Sequence, residues 1–280
     1  MPTPKISILI VTYNRANYLK AAIDSVFPQT FADWELIIVD GGSTDNTAQL
    51  VENYRNKDQR VRFLPQSIKG GVAHDRNVGL NTAQGKYIAI LDSDDIWADP
   101  TKLQKQYEFL ETHQKDNYVL VGSAVIEIDK DSYERKRYLN ALSDQEIRKQ
   151  ILNRNPFAHS SVLFLRSAIT KVGNYDEKYI IGEDYDLILR LGLIGKMANL
   201  PDHFLKYRIH PQSACVADRI GGAWDTQKII KQYKNKYPGY RFAILKSYLR
   251  ILFNTGLLIK DKLWRIRINQ YCIFLLNKIH

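Results

Sequence analysis

The sequence predicts an α/β protein: a mostly parallel central sheet with helices on both faces, followed by a C-terminal helical tail. Two observations carry this. Strand-like apolar runs alternate with helix-like stripes through the first 95 residues, the pattern of βαβ units. The runs are continuously apolar, as strands buried on both faces are. Right-handed crossovers then bring the strand C-termini to one edge, where such sheets bind ligands.

In order, Lys5–Thr12 reads as a buried strand. Leu19, Ala22, Ile23, Val26 and Phe27 form the stripe of an amphipathic helix. Trp34–Asp40 is a second strand, and Ser43 or Thr44 can cap a helix through about Tyr54. Arg60–Leu64 is a third strand; Gly70-Gly71 opens a helix to about Ala83; Lys86–Asp92 is a fourth strand. Beyond Asp95 the pattern changes. Asp99-Pro100 starts a helix, Tyr118–Ile128 and Ser160–Leu165 read as strands, and Ser143 to Glu146 forms a capping box. Glu183–Leu193 is a further helix.

The length of 280 residues suits one large domain with an appendage. We expect a core domain over 1–220, divided into a regular α/β half (1–98) and a less regular half (99–220). A basic amphipathic tail over 221–280 would follow a hinge at Gly221-Gly222. Cys215 and Cys272 give neither a disulfide framework nor zinc spacing. No signal sequence opens the chain, so a cytoplasmic location is expected. Of the net charge of +10, residues 241–280 hold +7, with eight Lys/Arg against Asp261. Basic charge in an apolar, aromatic tail argues for an anionic membrane surface at the cytoplasmic face and against nucleic acid. Packing of the tail on the enzyme, or an oligomer, is the competing reading.

Asp92-Ser93-Asp94-Asp95 puts three carboxylates just after a strand. Carboxylates so close repel when ionised. A divalent Mg²⁺ or Mn²⁺ relieves this, and a metal with open positions binds a diphosphate. The bland alternative is a solvated turn capping the next helix. No GxGxxG or GxxxxGK[ST] loop follows a strand. A diphosphate would therefore need metal and cationic side chains, with Arg76 a candidate.

Together with Ser7–Arg15, Val39–Asp45, Arg76-Asn77, Gly182–Leu187 and Tyr207–Ser213, this cluster resembles the family 2 glycosyltransferases of the GT-A fold. The resemblance covers roughly residues 5–215. It implies a nucleotide-sugar donor, UDP by preference, and Mn²⁺ or Mg²⁺. The loop Thr12, Tyr13, Asn14 and Arg15 would line the donor pocket, Tyr13 stacking on the base. Asp40 would accept from the base edge, and Arg76 would contact base or diphosphate. Asp92 would reach the ribose or metal shell beside Ser93, and Asp94 would ligate the metal. His210 would reach diphosphate or metal. Asp184, beside Glu183, would be the catalytic base. First-turn acids also favour a helix dipole, and a lone His is often structural, so both keep a structural alternative. His74, His113, His159, His203 and His280 show no ligand spacing.

One departure stands out. The family often has two acids where this chain has Asp40-Gly41, which puts a ribose contact in doubt. The QxxRW motif of processive synthases is absent, which implies transfer of one sugar per saccharide or lipid-linked acceptor. The alternatives are a sugar-phosphate nucleotidyltransferase, disfavoured because Thr12–Arg15 has no Gly-rich loop, and a non-catalytic nucleotide-sugar-binding module.

Overall fold

The computed structural model describes residues 3–67, 70–213 and 219–256. Its first half follows the expected alternation. Strands β1 (Ile6–Thr12), β2 (Trp34–Asp40), β3 (Val61–Pro65) and β4 (Tyr87–Ile90) are separated by helices α1 (Ala16–Asp24), α2 (Thr47–Arg55) and α3 (Val72–Thr82). They pair in parallel in the order β3-β2-β1-β4. The register sets Thr12 opposite Asp40, so the loops after β1 and β2 leave the same edge side by side.

The pleat explains the double-sided core. Ile6, Ile8, Ile10, Leu36 and Ile38 face one cluster with Leu19, Ala22 and Ile23 of α1 and Val51 of α2. Leu9, Ile37 and Val39 face the other, with Ala73 and Leu80 of α3. Each Ile, Leu or Val among them, fully removed from water, contributes about 1.5–3 kcal/mol.

The second half is mixed. It contains β5 (Ile96–Trp97), α4 (Lys102–Thr112), β6 (Tyr118–Ile128), β7 (Glu134–Tyr138), α5 (Asp144–Gln150), β8 (Leu163–Leu165), α6 (Arg166–Val172), α7 (Glu183–Gly192) and β9 (Lys196–Arg208). The sheet continues β4-β8-β6-β9-β5, with β7 on β6. Of these pairings β6–β9 is parallel and the others antiparallel. The capping box of α5 forms as expected: Glu146 N–H donates to Ser143 Oγ, and Ser143 N–H to Glu146 Oε2.

Three expectations shift. Helix α2 starts at Thr47, because Ser43 and the Asn14–Thr44 contact belong to the strand-end loops. Only Leu163–Leu165 of the expected Ser160–Leu165 strand is extended; His159–Ser161 form a 3-10 turn. The expected hinge lies inside a helix. Helix α8 (Arg219–Gln232) runs through Gly221-Gly222, and a Cβ on Gly222 would lie 3.1 Å from Ile181. Ile229, Ile230 and Tyr233, with Tyr237 and Ala243, join the same cluster as α7. The apolar face of α8 is thus covered by α7.

Helix α9 (Tyr240–Gly256) packs Ala243, Ser247 and Ile251 inward and exposes Leu245, Tyr248 and Leu252. Among the described residues no helix is long and apolar enough to cross a membrane. The remainder of the expected tail, with Lys260, Lys262, Trp264, Arg265 and Arg267, lies outside the described residues.

Candidate active site

The strand ends open into a cavity of about 640 Å³. That is ample for a nucleotide-sized ligand. Thr12, Tyr13, Arg15, Arg76, Asp92, Ser93 and Asp94 line it from the first half, and Glu183 and Asp184 from the second. Asn14, Asp40 and His210 are not among its lining residues.

Asn14 and Asp40 instead hold the two strand-end loops together. Asn14 sits at φ 51, a left-handed turn that Asn tolerates. Its N–H donates to Ser43 Oγ at 2.7 Å, and Thr44 N–H donates to its Oδ1 at 2.8 Å. Ser43 donates both N–H and Oγ–H to Asp40 Oδ1, at 3.0 and 2.6 Å. This lattice presents Tyr13, 39% exposed, at the cavity lip. A stacking platform needs such an open aromatic face.

The acidic turn is fully engaged. Asp92 Oδ1 accepts from Arg76 Nη2 at 2.7 Å. Burial works to raise Asp92, but the Arg76 guanidinium holds its carboxyl below the usual range. Asp94 Oδ2 lies 2.6 Å from Arg15 Nη1 and 2.9 Å from His210 Nε2. Asp95 accepts from Ser160 Oγ and, at 2.8 Å, from Arg208 N–H. It ties the turn to β9 and so has a structural role. Burial and the neighbouring Asp94 and Asp92 push it well up. The three expected metal ligands thus do not surround one point: Asp94 and His210 meet, while Asp92 turns to Arg76. Among the described residues no group of three or more His, Cys, Asp or Glu side chains is placed to hold a metal unaided.

Across the cavity, Gly182 at φ 93 turns the chain into α7, whose first turn carries Glu183 and Asp184. Glu183 is buried and paired with Arg76. Burial, with Asp184 beside it, pushes Glu183 up to about 7 against the pull of Arg76. Asp184 is also raised, chiefly by burial. Its side chain is half-buried, and its hydrogen-bond partner among the described residues is Asn155 Nδ2 at 3.2 Å. Buried Arg76 bridges the two acid groups, bonding Asp92 with one nitrogen and Glu183 with the other.

Sequence reasoning missed several cavity residues. Tyr138, Asn140, Arg154 and Asn155 line its far side. So does His159, whose Nε2 lies 2.9 Å from Tyr175 Oη and whose buried Nδ1 has no hydrogen-bond partner among the described residues. Burial and the nearby Arg76 push that imidazole down to about 3, so it is neutral. A lone His without ligand spacing carried no signal. Asp75, also on the wall, was hidden inside an ordinary helical stretch.

A half-parallel, half-mixed sheet with an acid-lined cavity at its strand ends is the arrangement of the GT-A fold. The model of glycosyl transferase family 2 matches residues 7–173. An uncharacterized glycosyltransferase of Methanocaldococcus jannaschii is 35% identical over 75% of this chain and 72% of its own length. The amylovoran biosynthesis glycosyltransferase AmsE of Erwinia amylovora is 32% identical over 89% of this chain and 92% of its own. The crystal structure of S. aureus TarS 1–349 in complex with UDP-GlcNAc superposes with a TM-score of 0.72 at 19% identity, over 94% of this chain and 78% of that one. A longer TarS structure, with a TM-score of 0.66, is covered to only 46%. A Pyrobaculum calidifontis mannosyltransferase in complex with GDP-Man and Mn²⁺ gives 0.67 at 16% identity, over 97% and 80%. The chain belongs to glycosyl transferase family 2, and it is a glycosyltransferase.

Proposed function

We propose that this enzyme moves one sugar from a nucleoside diphosphate sugar, with UDP favoured, to a hydroxyl of a saccharide or lipid-linked acceptor, inverting the anomeric carbon. One observation carries the reading: Asp184 and the Asp92–Asp94 turn line one cavity from separate chain segments, with Arg76 fixed between them. In-line displacement needs a base and a leaving-group site on opposite sides of the sugar. The acceptor oxygen would attack the anomeric carbon as its proton passes to Asp184; the bond from that carbon to the diphosphate oxygen would break. The raised Asp184 is a better proton acceptor than an ordinary carboxylate. Arg76 is held in the charged state by Asp92 and Glu183, which outweigh its burial, and would orient the departing phosphates.

The donor set at Asp94 and His210 fits a divalent cation. A cationic nitrogen of Arg15 already sits 2.6 Å from Asp94 Oδ2 and 2.8 Å from His210 Nε2. The carboxylate oxygen suits Mn²⁺ or Mg²⁺, the imidazole nitrogen favours Mn²⁺ of the two as the softer cation, and the diphosphate would complete the shell. Such a cation supplies charge stabilisation for the leaving diphosphate. Asp92 and Ser93 would border the ribose, and Tyr13 would stack on the base.

The amylovoran role in the name of AmsE supports assembly of a cell-surface polysaccharide or glycolipid. The UDP-GlcNAc in the TarS structure supports a UDP-sugar. Exposed Leu245, Tyr248 and Leu252 on α9, with exposed Arg241, Lys246 and Arg250, support peripheral contact with an anionic membrane at the cytoplasmic face. Transfer from a nucleotide-sugar panel with Mn²⁺ tests the reading. Donor binding without transfer to any hydroxyl acceptor would leave only a binding module, and pyrophosphate release from a nucleoside triphosphate would make it a nucleotidyltransferase.

A further inference from the structure

Gly41 stands where the family often places a second acid after Asp40. Its backbone is not left-handed, so conformation does not demand glycine there. Space does. A Cβ on Gly41 would lie 2.7 Å from Asp75 Oδ2, closer than real Cβ contacts come. The room for a side chain at this position is filled by a carboxylate delivered from another element. Asp75 lies on the first turn of α3, its N–H bonded to Gly71 O at 3.0 Å. It is 5% exposed and lines the same cavity as Thr12 and Tyr13. Gly41 N–H donates to Thr12 O at 2.9 Å, which fixes this wall against the β1 strand end. Asp40 meanwhile is held by Ser43 and does not line the cavity.

We propose that Asp75 is the nucleoside-reading carboxylate of this enzyme, supplied by α3 into the space that Gly41 leaves open. The inference rests on the glycosyltransferase reading above. The oxygens of a carboxyl group accept hydrogen bonds. Its partner on the donor is therefore a ribose hydroxyl or a base N–H. Gly41 and Asp75 form a matched pair: one acid has moved from the strand end to the facing helix.

The test is calorimetric binding of UDP, GDP and dTDP with Mn²⁺ to the full-length protein. Asp75→Asn keeps the shape and removes the charge; the nucleotide that wild type binds should bind about tenfold more weakly or worse, since a charged acceptor is lost. In turnover, KM for the donor should rise with kcat nearly unchanged. Moving the acid back, Gly41→Asp with Asp75→Gly, should restore affinity to within about threefold of wild type, taking one repositioned hydrogen bond as equivalent. Analogues locate the contact without relying on that double variant. If UDP is the ligand, wild type should discriminate against 2′-deoxy-UDP or 3′-deoxy-UDP for a ribose contact, or N3-methyl-UDP for a base contact. Asp75→Asn should flatten that discrimination. Binding by Asp75→Asn as tight as wild type, or undiminished discrimination in it, overturns the inference alone. Failure of wild type to bind any of the three nucleotides overturns it together with the reading beneath it.

Discussion

The acidic turn after β4 and the first turn of α7 carry the same kind of side chain in different surroundings. At the turn every carboxylate is engaged: Asp92 by Arg76, Asp94 by Arg15 and His210, Asp95 by Ser160 and the Arg208 backbone. On α7, Glu183 has Arg76, while the side chain that bonds Asp184 among the described residues is the neutral Asn155 amide, and burial raises Asp184. The difference is chemical. Asp92, beside the Arg76 guanidinium, is held below the usual carboxylate range, and Asp94 beside Arg15 and His210 is placed to anchor a cation and phosphates, whereas Asp95, which faces no cation among the described residues, is pushed up by burial. A carboxylate in a poorly solvated place, without a cation of its own, takes a proton more readily. Two clusters of one residue type thereby suit the two ends of one displacement.

The largest effect that sharpens this contrast is at the base. Asp184→Asn should lower kcat by about 10²–10⁴-fold, the range of a lost general base. Donor affinity by calorimetry should stay nearly unchanged. Wild-type turnover in this variant would sink the assignment of roles. At the other cluster, Asp94→Ala should reduce donor affinity in Mn²⁺ to its metal-free value, a loss of about tenfold or more for one charged ligand. A variant that keeps Mn²⁺-dependent binding but loses turnover would reverse the division between the two acid groups.

Arg76 holds the two clusters in register. Arg76→Leu would strand Asp92 and buried Glu183 without a counter-charge, which costs about 3–5 kcal/mol when a buried partner is removed. Thermal melting should drop by roughly ten degrees for a chain of this size. Arg76→Lys should recover much of the stability but not the turnover, because one ammonium cannot fork to both acids as the guanidinium does. Equal melting temperatures for wild type and Arg76→Leu would remove Arg76 as the bridge.

Much of this was legible because the first half obeys local rules. Continuous apolar runs with helical stripes between them gave β1 to β4 and α1 to α3, and parallel pairing then forced Thr12–Arg15, Asp40–Asp45 and Asp92–Asp95 to one edge. The second half hides its order. Strand β9 contains Pro201-Asp202-His203, and its register on β6 shifts nearby, so no clean alternation marks it. Strand β7, Glu134–Tyr138, is mostly charged because it is an edge, where charge blocks unwanted pairing. The burial of α8 depends on α7 and could not be read locally. Within the site, the residue types at strand ends were readable, but their partners were not. Asp40 pointing into Ser43, Asp75 filling the space at Gly41 and His159 on the wall are all long-range placements.

The smallest expected effect is the most diagnostic of how the α7 acids are tuned. Glu183 lies near 7 and Asp184 above its ordinary value, both chiefly through burial. A base works only when deprotonated, so kcat/KM should fall as pH drops, with an acid limb above the ordinary carboxylate range because burial raises Asp184. Stability should run the other way for these two groups. An acid raised in the folded state binds more protons there than in the unfolded chain, so its contribution weakens as pH rises from the unfolded value toward the folded one. Glu183→Gln removes one carboxylate of the pair and leaves Arg76 to Asp92 and Asp184. The acid limb of the rate profile should then move to lower pH, because Asp184 no longer shares its surroundings with a second acid. The shift should be about one pH unit or less, with a correspondingly modest change in rate at pH 8. An acid limb that stays in place in Glu183→Gln would mean that burial alone, and not the neighbouring carboxylate, sets the base.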